Sequence, residues 1–315
     1  MPYSSFVTLL EDARQNNLSL AECVQQREAL DSDISIAEVR AALAETLDIM
    51  REAIRKGSEA DIKSRTGLSG GDSAKLFGAV HANKTASVAG PEFTHILAAS
   101  MATVELNAAM GRIVAAPTAG ASGVLPGVLL SLRHSHELSD DELIDGLLIA
   151  AAIGACFAAQ ATLSGAAGGC QAEVGTAAAM TAAAVAYVLG TKKQSEGLDL
   201  SCQDDDRARH VETLHESVGH AASFAMQGQL GLVCDPVAGL VEVPCIARNA
   251  TGAAVAVTGA QMALAGLQFP IPFDEVVDTA ARVGAAIPPS LRETAKGGLA
   301  ITPSAKRIAC ELCLD

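Results

Sequence analysis

The apolar residues of this chain recur at helical spacing, and no stretch keeps up the alternation of apolar and polar residues that marks a half-buried strand. The clearest helical run has apolar positions at Ile36, Val39, Leu43, Leu47, Met50 and Ile54. Half of all residues are apolar but only 3% are aromatic, so the core must be built from Ala, Val, Leu and Gly. We therefore predict an all-α fold, a large Ala-rich helical domain with Gly- and Pro-rich loops between its helices.

Two regions are expected along the chain. Residues 1–57 contain two or three amphipathic segments, which we expect to form a helical appendage packed on the main domain, residues 58–315. The main domain contains two loops rich in glycine, TGLSGGDSAKLFGAVHAN and VAAPTAGASGVLPG. Because loops on a rigid scaffold often carry functional residues, both loops are candidates for the functional site.

Charge and hydropathy exclude some classes of function. The 36 acidic and 22 basic residues give a net charge of −14, which repels a phosphate backbone, so no nucleic-acid partner is expected. Two apolar stretches, 147–163 and 177–189, are rich in Ala and Gly, and we expect buried helices there rather than membrane spans. The first residues lack the basic and apolar regions of a secretory signal, so the expected location is the cytoplasm.

Three of the eight cysteines share a context that suits metal ligands. Cys170 follows a Gly-rich segment, while Cys234 and Cys245 flank the segment DPVAGLVEVP, and each cysteine lies at a predicted helix boundary. Helix ends and closely approaching backbone stabilise thiolates and cluster sulfides. Inert buried thiols remain an alternative. If the three thiolates hold a four-iron cluster, one iron is left open to act as a Lewis acid in an elimination.

The other cysteines are weaker candidates. Cys156 lies among alanines within a predicted helix, Cys23 lies on an amphipathic segment, and Cys202 lies in a charged linker. Cys310 and Cys313 form a C-x-x-C pair, a spacing that suits zinc or redox chemistry but is a weak signal without a second pair.

Five segments of the chain closely resemble the α chain of bacterial iron–sulfur-dependent L-serine dehydratases. They are SGGDSAKL, MGRIVAAPTAGASGVLPGVL, GGCQAEVG, GLVCDPVAGLVEVPCIARN and ETAKGGLAITPSAKRIA. The resemblance implies that Cys170, Cys234 and Cys245 ligate a [4Fe–4S] cluster in a helical catalytic domain, residues 58–315. It also implies the reaction, in which L-serine loses water to give aminoacrylate, and this hydrolyses to pyruvate and ammonia without pyridoxal phosphate.

Two departures from the family pattern matter. The linker around Cys202 is longer than the family usually has between the first two ligand segments. The family's second module, an ACT-like or β-type domain that contributes a histidine, is absent from this chain, so we expect a β chain as partner and an oligomeric enzyme. Some relatives place a carboxyl-end cysteine on the open iron, a role open to Cys310 or Cys313.

The substrate-binding candidates are polar residues of the two loops. Thr118, Gly120 and Ser122 lie in APTAGASG, whose hydroxyls and backbone N–H groups suit a carboxylate, although a helix-capping turn fits equally well. Ser69 and Thr85 are similar cases in and after the first loop.

The catalytic candidates are Lys75, Ser122, Arg248 and Asn249. Lys75 can pair with the substrate carboxylate or cap a helix, and Arg248 can orient substrate or form a buried structural pair. Glu173, one helical turn beyond Cys170, suits either a place beside the cluster or a helix cap. The principal base is expected from the partner chain or from a residue not yet placed.

Two other functions remain open. One is a cysteine desulfidase of the same superfamily, in which sulfide leaves in place of hydroxide. The other is a non-catalytic iron–sulfur or zinc protein that uses Cys310 and Cys313 for redox sensing. A pyridoxal enzyme is disfavoured, because no lysine stands in a recognisable order with a glycine-rich phosphate-binding segment.

Overall fold

The structure is a computed structural model that describes residues 3–81, 88–197 and 204–312. Over these ranges the chain forms α-helices and no β-strand, and a single bridge joins Cys234 to Arg292. The predicted all-α fold is confirmed. The helices are α1 (Phe6–Asn16), α2 (Leu20–Ser32), α3 (Ile36–Gly57), α4 (Asp72–His81), α5 (Pro91–Ala108), α6 (Val124–Ser135), α7 (Asp140–Gln160), α8 (Gly165–Gly168), α9 (Thr176–Gly197), α10 (Asp204–Gln227), α11 (Cys245–Leu264), α12 (Phe273–Ala286) and α13 (Pro303–Glu311).

Three helices begin with the same capping motif. Ser19, Ser35 and Ser139 precede α2, α3 and α7, and each serine side chain accepts a hydrogen bond from the backbone three residues later. The glutamate at that third position accepts a bond from the backbone N–H of the serine in return. This reciprocal pair satisfies two N–H groups that have no partner within the helix, which fixes where each helix begins.

Helix α9 forms the centre of the molecule and packs against α7, α10 and α11. Its buried side chains are mostly alanines that are 0% exposed, namely Ala177, Ala178, Ala179, Ala182, Ala183, Ala184 and Ala186. Such short side chains let helices approach closely. At the contact of α11 with α10, a Cβ on Gly259 would lie only 2.8 Å from the carbonyl oxygen of Ala221. The Ala- and Gly-rich composition therefore sets the tight spacing of these helices.

Two helices are long and apolar enough to cross a membrane, and both are packed inside the protein. They span residues 140–160 and 171–195, and 67% and 89% of their most apolar windows are buried. The core helices of a soluble protein give the same pattern, which agrees with the expectation that these stretches are buried helices.

The amino-terminal helices share the main core. Phe6 of α1, Leu20 of α2 and Leu47 of α3 belong to the same buried cluster as Leu143 and Phe157 of α7. The predicted boundary after residue 57 stays a prediction.

Two glycine substitutions should have opposite effects on stability. A Cβ on Gly57, at the end of α3, would lie 1.8 Å from the carbonyl oxygen of Ala102 in α5, so Gly57→Ala should lower the free energy of unfolding by about 3 kcal/mol. A Cβ on Gly78 in α4 meets nothing within 4 Å, and Gly78→Ala should raise it by about 0.5–1 kcal/mol. Urea unfolding measures both changes. Equal effects in the two variants would contradict the close contact of α3 with α5.

Candidate active site

Three buried cysteines come from distant parts of the chain. Cys170 and Cys245 lie at the start of helical segments, as predicted, whereas Cys234 lies in an extended segment outside any helix, so its predicted helix boundary is not found. Cys170 immediately precedes a π-helical turn, Gln171–Gly175, that leads into α9. Cys245 is the first residue of α11. Cys234 lies between α10 and α11, where its N–H donates to the Leu291 carbonyl and its own carbonyl accepts from the Glu293 N–H, both at 2.8 Å. The three cysteines are only 3%, 8% and 2% exposed, in that order.

The three thiols are electrostatic neighbours. The Cys234 thiol acts as a donor towards Cys170, which lowers the pKa of Cys170 and raises that of Cys234. Burial, followed by the nearby Cys170, raises the pKa of Cys245 to about 12. In the described part of the chain, however, no three His, Cys, Asp or Glu side chains already stand in the geometry of a metal site. The three thiols are therefore neighbours, but they are not arranged as a complete set of metal ligands.

The loop that carries Thr118, Gly120 and Ser122 is held by Asn249. The Asn249 amide oxygen accepts from the Gly123 N–H at 2.9 Å, and its amide nitrogen donates to the carbonyls of Gly120 at 2.7 Å and Cys245 at 2.9 Å. Asn249 is fully buried, so it fixes the loop against the start of α11. Its role in catalysis stays a prediction.

The hydroxyls of Ser122 and Thr118 differ in their hydrogen bonding. The Ser122 hydroxyl donates to the Ala119 carbonyl at 2.8 Å, as in the helix-capping alternative. The Thr118 hydroxyl is buried and makes no hydrogen bond of ordinary geometry. It faces Glu173, whose pKa is raised by burial, an effect that this hydroxyl partly offsets. A buried hydroxyl without a firm partner is unusual and is available to a ligand.

Arg248 forms a buried ion pair. Its guanidinium donates to the Val233 carbonyl at 2.9 Å and to the Asp235 carboxylate at 2.8 Å. The other Asp235 oxygen accepts from the Leu299 N–H at 2.7 Å. This geometry matches the structural alternative for Arg248 and ties residue 299 to the Cys234 segment. The role of Asp235 was not predicted from the sequence, although this residue directly follows the candidate ligand Cys234.

The loop before α4 is tied to the segment between Cys234 and Cys245. The hydroxyls of Ser69 and Thr66 donate to the two carboxylate oxygens of Glu242, at 2.5 and 2.8 Å. Glu242 is buried and was also missed, since nothing in VEVPC separates it from a surface glutamate. Ser69 thus lies beside the segment between Cys234 and Cys245 with its hydroxyl bound to Glu242, and its role in substrate binding stays a prediction.

The remaining candidates are exposed at the surface or lie outside the described residues. Lys75 is 76% exposed and pairs with Asp72 at 2.6 Å on α4. Thr85 lies outside the described residues, as do Cys202 and Cys313.

The cysteines set aside at the sequence level show different surroundings. Cys156 lies buried within α7, away from the other cysteines of the site, and burial raises the pKa of its thiol to about 12. Cys23 is buried on α2 and Cys310 is exposed on α13.

Removal of the Asn249 side chain should loosen the loop. Asn249→Ala leaves the buried Gly123 N–H and the part-buried Gly120 carbonyl without their partner, so we expect the free energy of unfolding to fall by about 2–4 kcal/mol. Asn16→Ala is a matched control, since the exposed Asn16 amide makes one bond, to the Asp12 carbonyl. Urea unfolding of both proteins measures the difference, and a loss for Asn249→Ala no larger than the control would contradict the assignment.

Known proteins resemble this chain over nearly its whole length. The family model for the serine dehydratase alpha chain matches residues 15–197 and 210–300. The chain is 40% identical to the probable L-serine dehydratase alpha chain of Bacillus subtilis, with 93% of each chain covered. It is 34% identical to the L-serine dehydratase alpha chain of Peptoniphilus asaccharolyticus, covering 95% of this chain and 94% of the relative.

Longer relatives contain the same region as part of one chain. The L-serine dehydratase of Mycobacterium tuberculosis is 36% identical over 98% of this chain, but this match covers only 63% of that relative. The matched family model spans most of the described residues, including all three buried cysteines of the site. On this similarity, the chain belongs to the serine dehydratase alpha chain family.

Proposed function

We propose that this chain is the catalytic α chain of a [4Fe–4S]-dependent L-serine ammonia-lyase, which converts L-serine to pyruvate and ammonia without pyridoxal phosphate. The observation that carries the proposal is that Cys170, Cys234 and Cys245, far apart in sequence, are buried and electrostatic neighbours. The Gln171 N–H donates to the Leu232 carbonyl at 3.0 Å, which joins the segments of Cys170 and Cys234. The names of the relatives supply the substrate and the reaction.

The residues at this site fit the proposed cluster. Three cysteine sulfurs are the donors that iron–sulfur clusters require, and their number leaves one iron without a protein ligand. The buried Thr118 hydroxyl, which has no firm partner, lies on the loop beside these thiols. When bound, the cluster would supply a Lewis acid for the departing hydroxyl of serine.

The chain's own residues bind and orient the substrate in this proposal. The loop with Thr118, Gly120 and Ser122 receives the serine carboxylate, to which the Thr118 hydroxyl can donate, and Asn249 holds that loop in place. Ser69 and Thr85 complete the substrate contacts. Burial of the cysteines keeps bulk water away from the reacting atoms.

We also propose a β chain as partner, within an oligomeric enzyme in the cytoplasm. The family name denotes an alpha chain, and the Mycobacterium tuberculosis relative is longer than the matched region. A reducing compartment suits a protein whose described cysteines are all free thiols.

Pyruvate formation under anaerobic conditions tests the function. Protein purified anaerobically, alone and with its β chain, should form pyruvate from L-serine faster than from L-threonine or L-cysteine, and it should lose activity in air. A large preference for L-cysteine, with release of sulfide, would make it a desulfidase. A colourless protein with zinc and no turnover would make it a structural or redox protein.

A further inference from the structure

Glu173 is an electrostatic neighbour of all three thiols. It is three residues beyond Cys170 in the π-helical turn, and its charge raises the pKa of Cys234 and Cys245. A Cβ on Gly165 would lie 2.6 Å from one Glu173 carboxylate oxygen, and a Cβ on Gly120 would lie 3.7 Å from the other. Gly165 at the start of α8 and Gly120 on a separate loop thus both lie next to this carboxylate.

Glu173 is half-buried and lacks the fixed partners that the fully buried carboxylates have. Glu105 accepts from three backbone N–H groups at the start of α4, Asp235 pairs with Arg248, and Glu242 accepts from two hydroxyls. In the described chain, Glu173 has no ion pair and no hydrogen bond of ordinary geometry, only the facing Thr118 hydroxyl. Structural carboxylates in protein interiors are normally paired, whereas unpaired ones cluster at functional sites.

We propose that Glu173 is the proton-transfer residue of this site, the group that takes the Cα proton of L-serine. This inference rests on the proposed function and goes beyond it, because the principal base was expected from the partner chain or from a residue not yet placed. Glu173 is half-buried and has no cationic partner, so its carboxylate can accept a proton without breaking an ion pair.

The proposed step is an elimination in which both the proton and the hydroxide come from L-serine. The Cα–H bond breaks and its proton forms an O–H bond on Glu173, while the electron pair forms the Cα=Cβ double bond. The Cβ–O bond breaks and its electron pair leaves with oxygen as hydroxide. The proton on Glu173 then joins the hydroxide to give water. The remaining 2-aminoacrylate tautomerises to an imine, which one water molecule hydrolyses to pyruvate and ammonia.

Glu173→Gln tests the proposal, because it keeps the shape of the side chain and removes the base. We expect kcat for L-serine to fall by about 10²–10⁴-fold, with iron and sulfide content, L-serine binding and melting temperature as in the wild type. Glu173→Asp should retain part of the activity. Glu275→Gln, an exposed glutamate on α12, is the matched control and should leave all four measurements unchanged.

A second variant moves the carboxylate without removing it. The Cβ of Gly165→Ala would displace the flexible Glu173 side chain, so we expect at least about a tenfold loss of kcat with iron retained. Full activity in Glu173→Gln overturns the proposal, and so does loss of iron in that variant, which would make Glu173 a support for the cluster. Turnover of L-serine by the wild type is measured in the same series. An inactive wild type would therefore count against the proposed function, and an unaffected variant against Glu173 alone.

Discussion

Anaerobically purified Cys170→Ser, Cys234→Ser and Cys245→Ser proteins should each contain little iron and form no pyruvate from L-serine. Serine is a poor substitute for thiolate on iron, and each of the three proposed ligands comes from a different segment. With one ligand lost, two thiols remain, which is too few to hold the cluster. Iron and sulfide analysis together with a pyruvate assay measures the effect.

Cys156→Ser is the control for these three variants. Cys156 is as buried as the proposed ligands but lies within α7 and not among them. Its replacement buries an extra hydroxyl, so the expected effect is a loss of stability of about 1–3 kcal/mol with iron retained. If Cys156→Ser removed the iron and Cys245→Ser did not, the ligand assignment would be wrong.

Asp235→Ala should have the largest effect on stability of the variants considered. It leaves the Arg248 guanidinium buried without its counter-charge and the Leu299 N–H without its acceptor. Removing one partner of a buried ion pair typically costs about 3–5 kcal/mol. We therefore expect a fall of that size in the free energy of unfolding, measured by urea unfolding of the apoprotein.

An exposed pair on α12 provides the comparison. The side chains of Arg282 and Asp278 are 79% and 50% exposed, and Asp278→Ala should change stability little, because solvent screens such pairs. The double variant Asp235→Asn with Arg248→Met should be more stable than Asp235→Ala, since it leaves no buried charge. A double variant less stable than Asp235→Ala would contradict the account of this pair.

Local sequence patterns predicted the helical fold and the three cysteines. The helical spacing of apolar residues from Ile36 to Ile54 depends on neighbours in sequence, and the structure places α3 at Ile36–Gly57. Cys170, Cys234 and Cys245 were singled out by adjacent Gly and Pro and by helix boundaries, which are also local features. The structure brings them together as neighbours, while their role as ligands stays a prediction.

The partners of the site residues could not be predicted in this way. Asn249 holds Gly123 from 126 residues away, and Glu242 binds Ser69 from 173 residues away. No periodicity or motif encodes such contacts, since they depend on how α5, α6 and α11 pack. For the same reason the unpaired state of Glu173 became visible only once the surrounding loops were placed.

Iron and acid-labile sulfide, measured together with L-serine turnover in one anaerobic preparation before and after exposure to air, test the central claim most directly. The account predicts about four iron and four sulfide per chain, a brown protein, and parallel loss of sulfide and activity in air. A colourless preparation that turns over L-serine at full rate in air, with no iron, would contradict it.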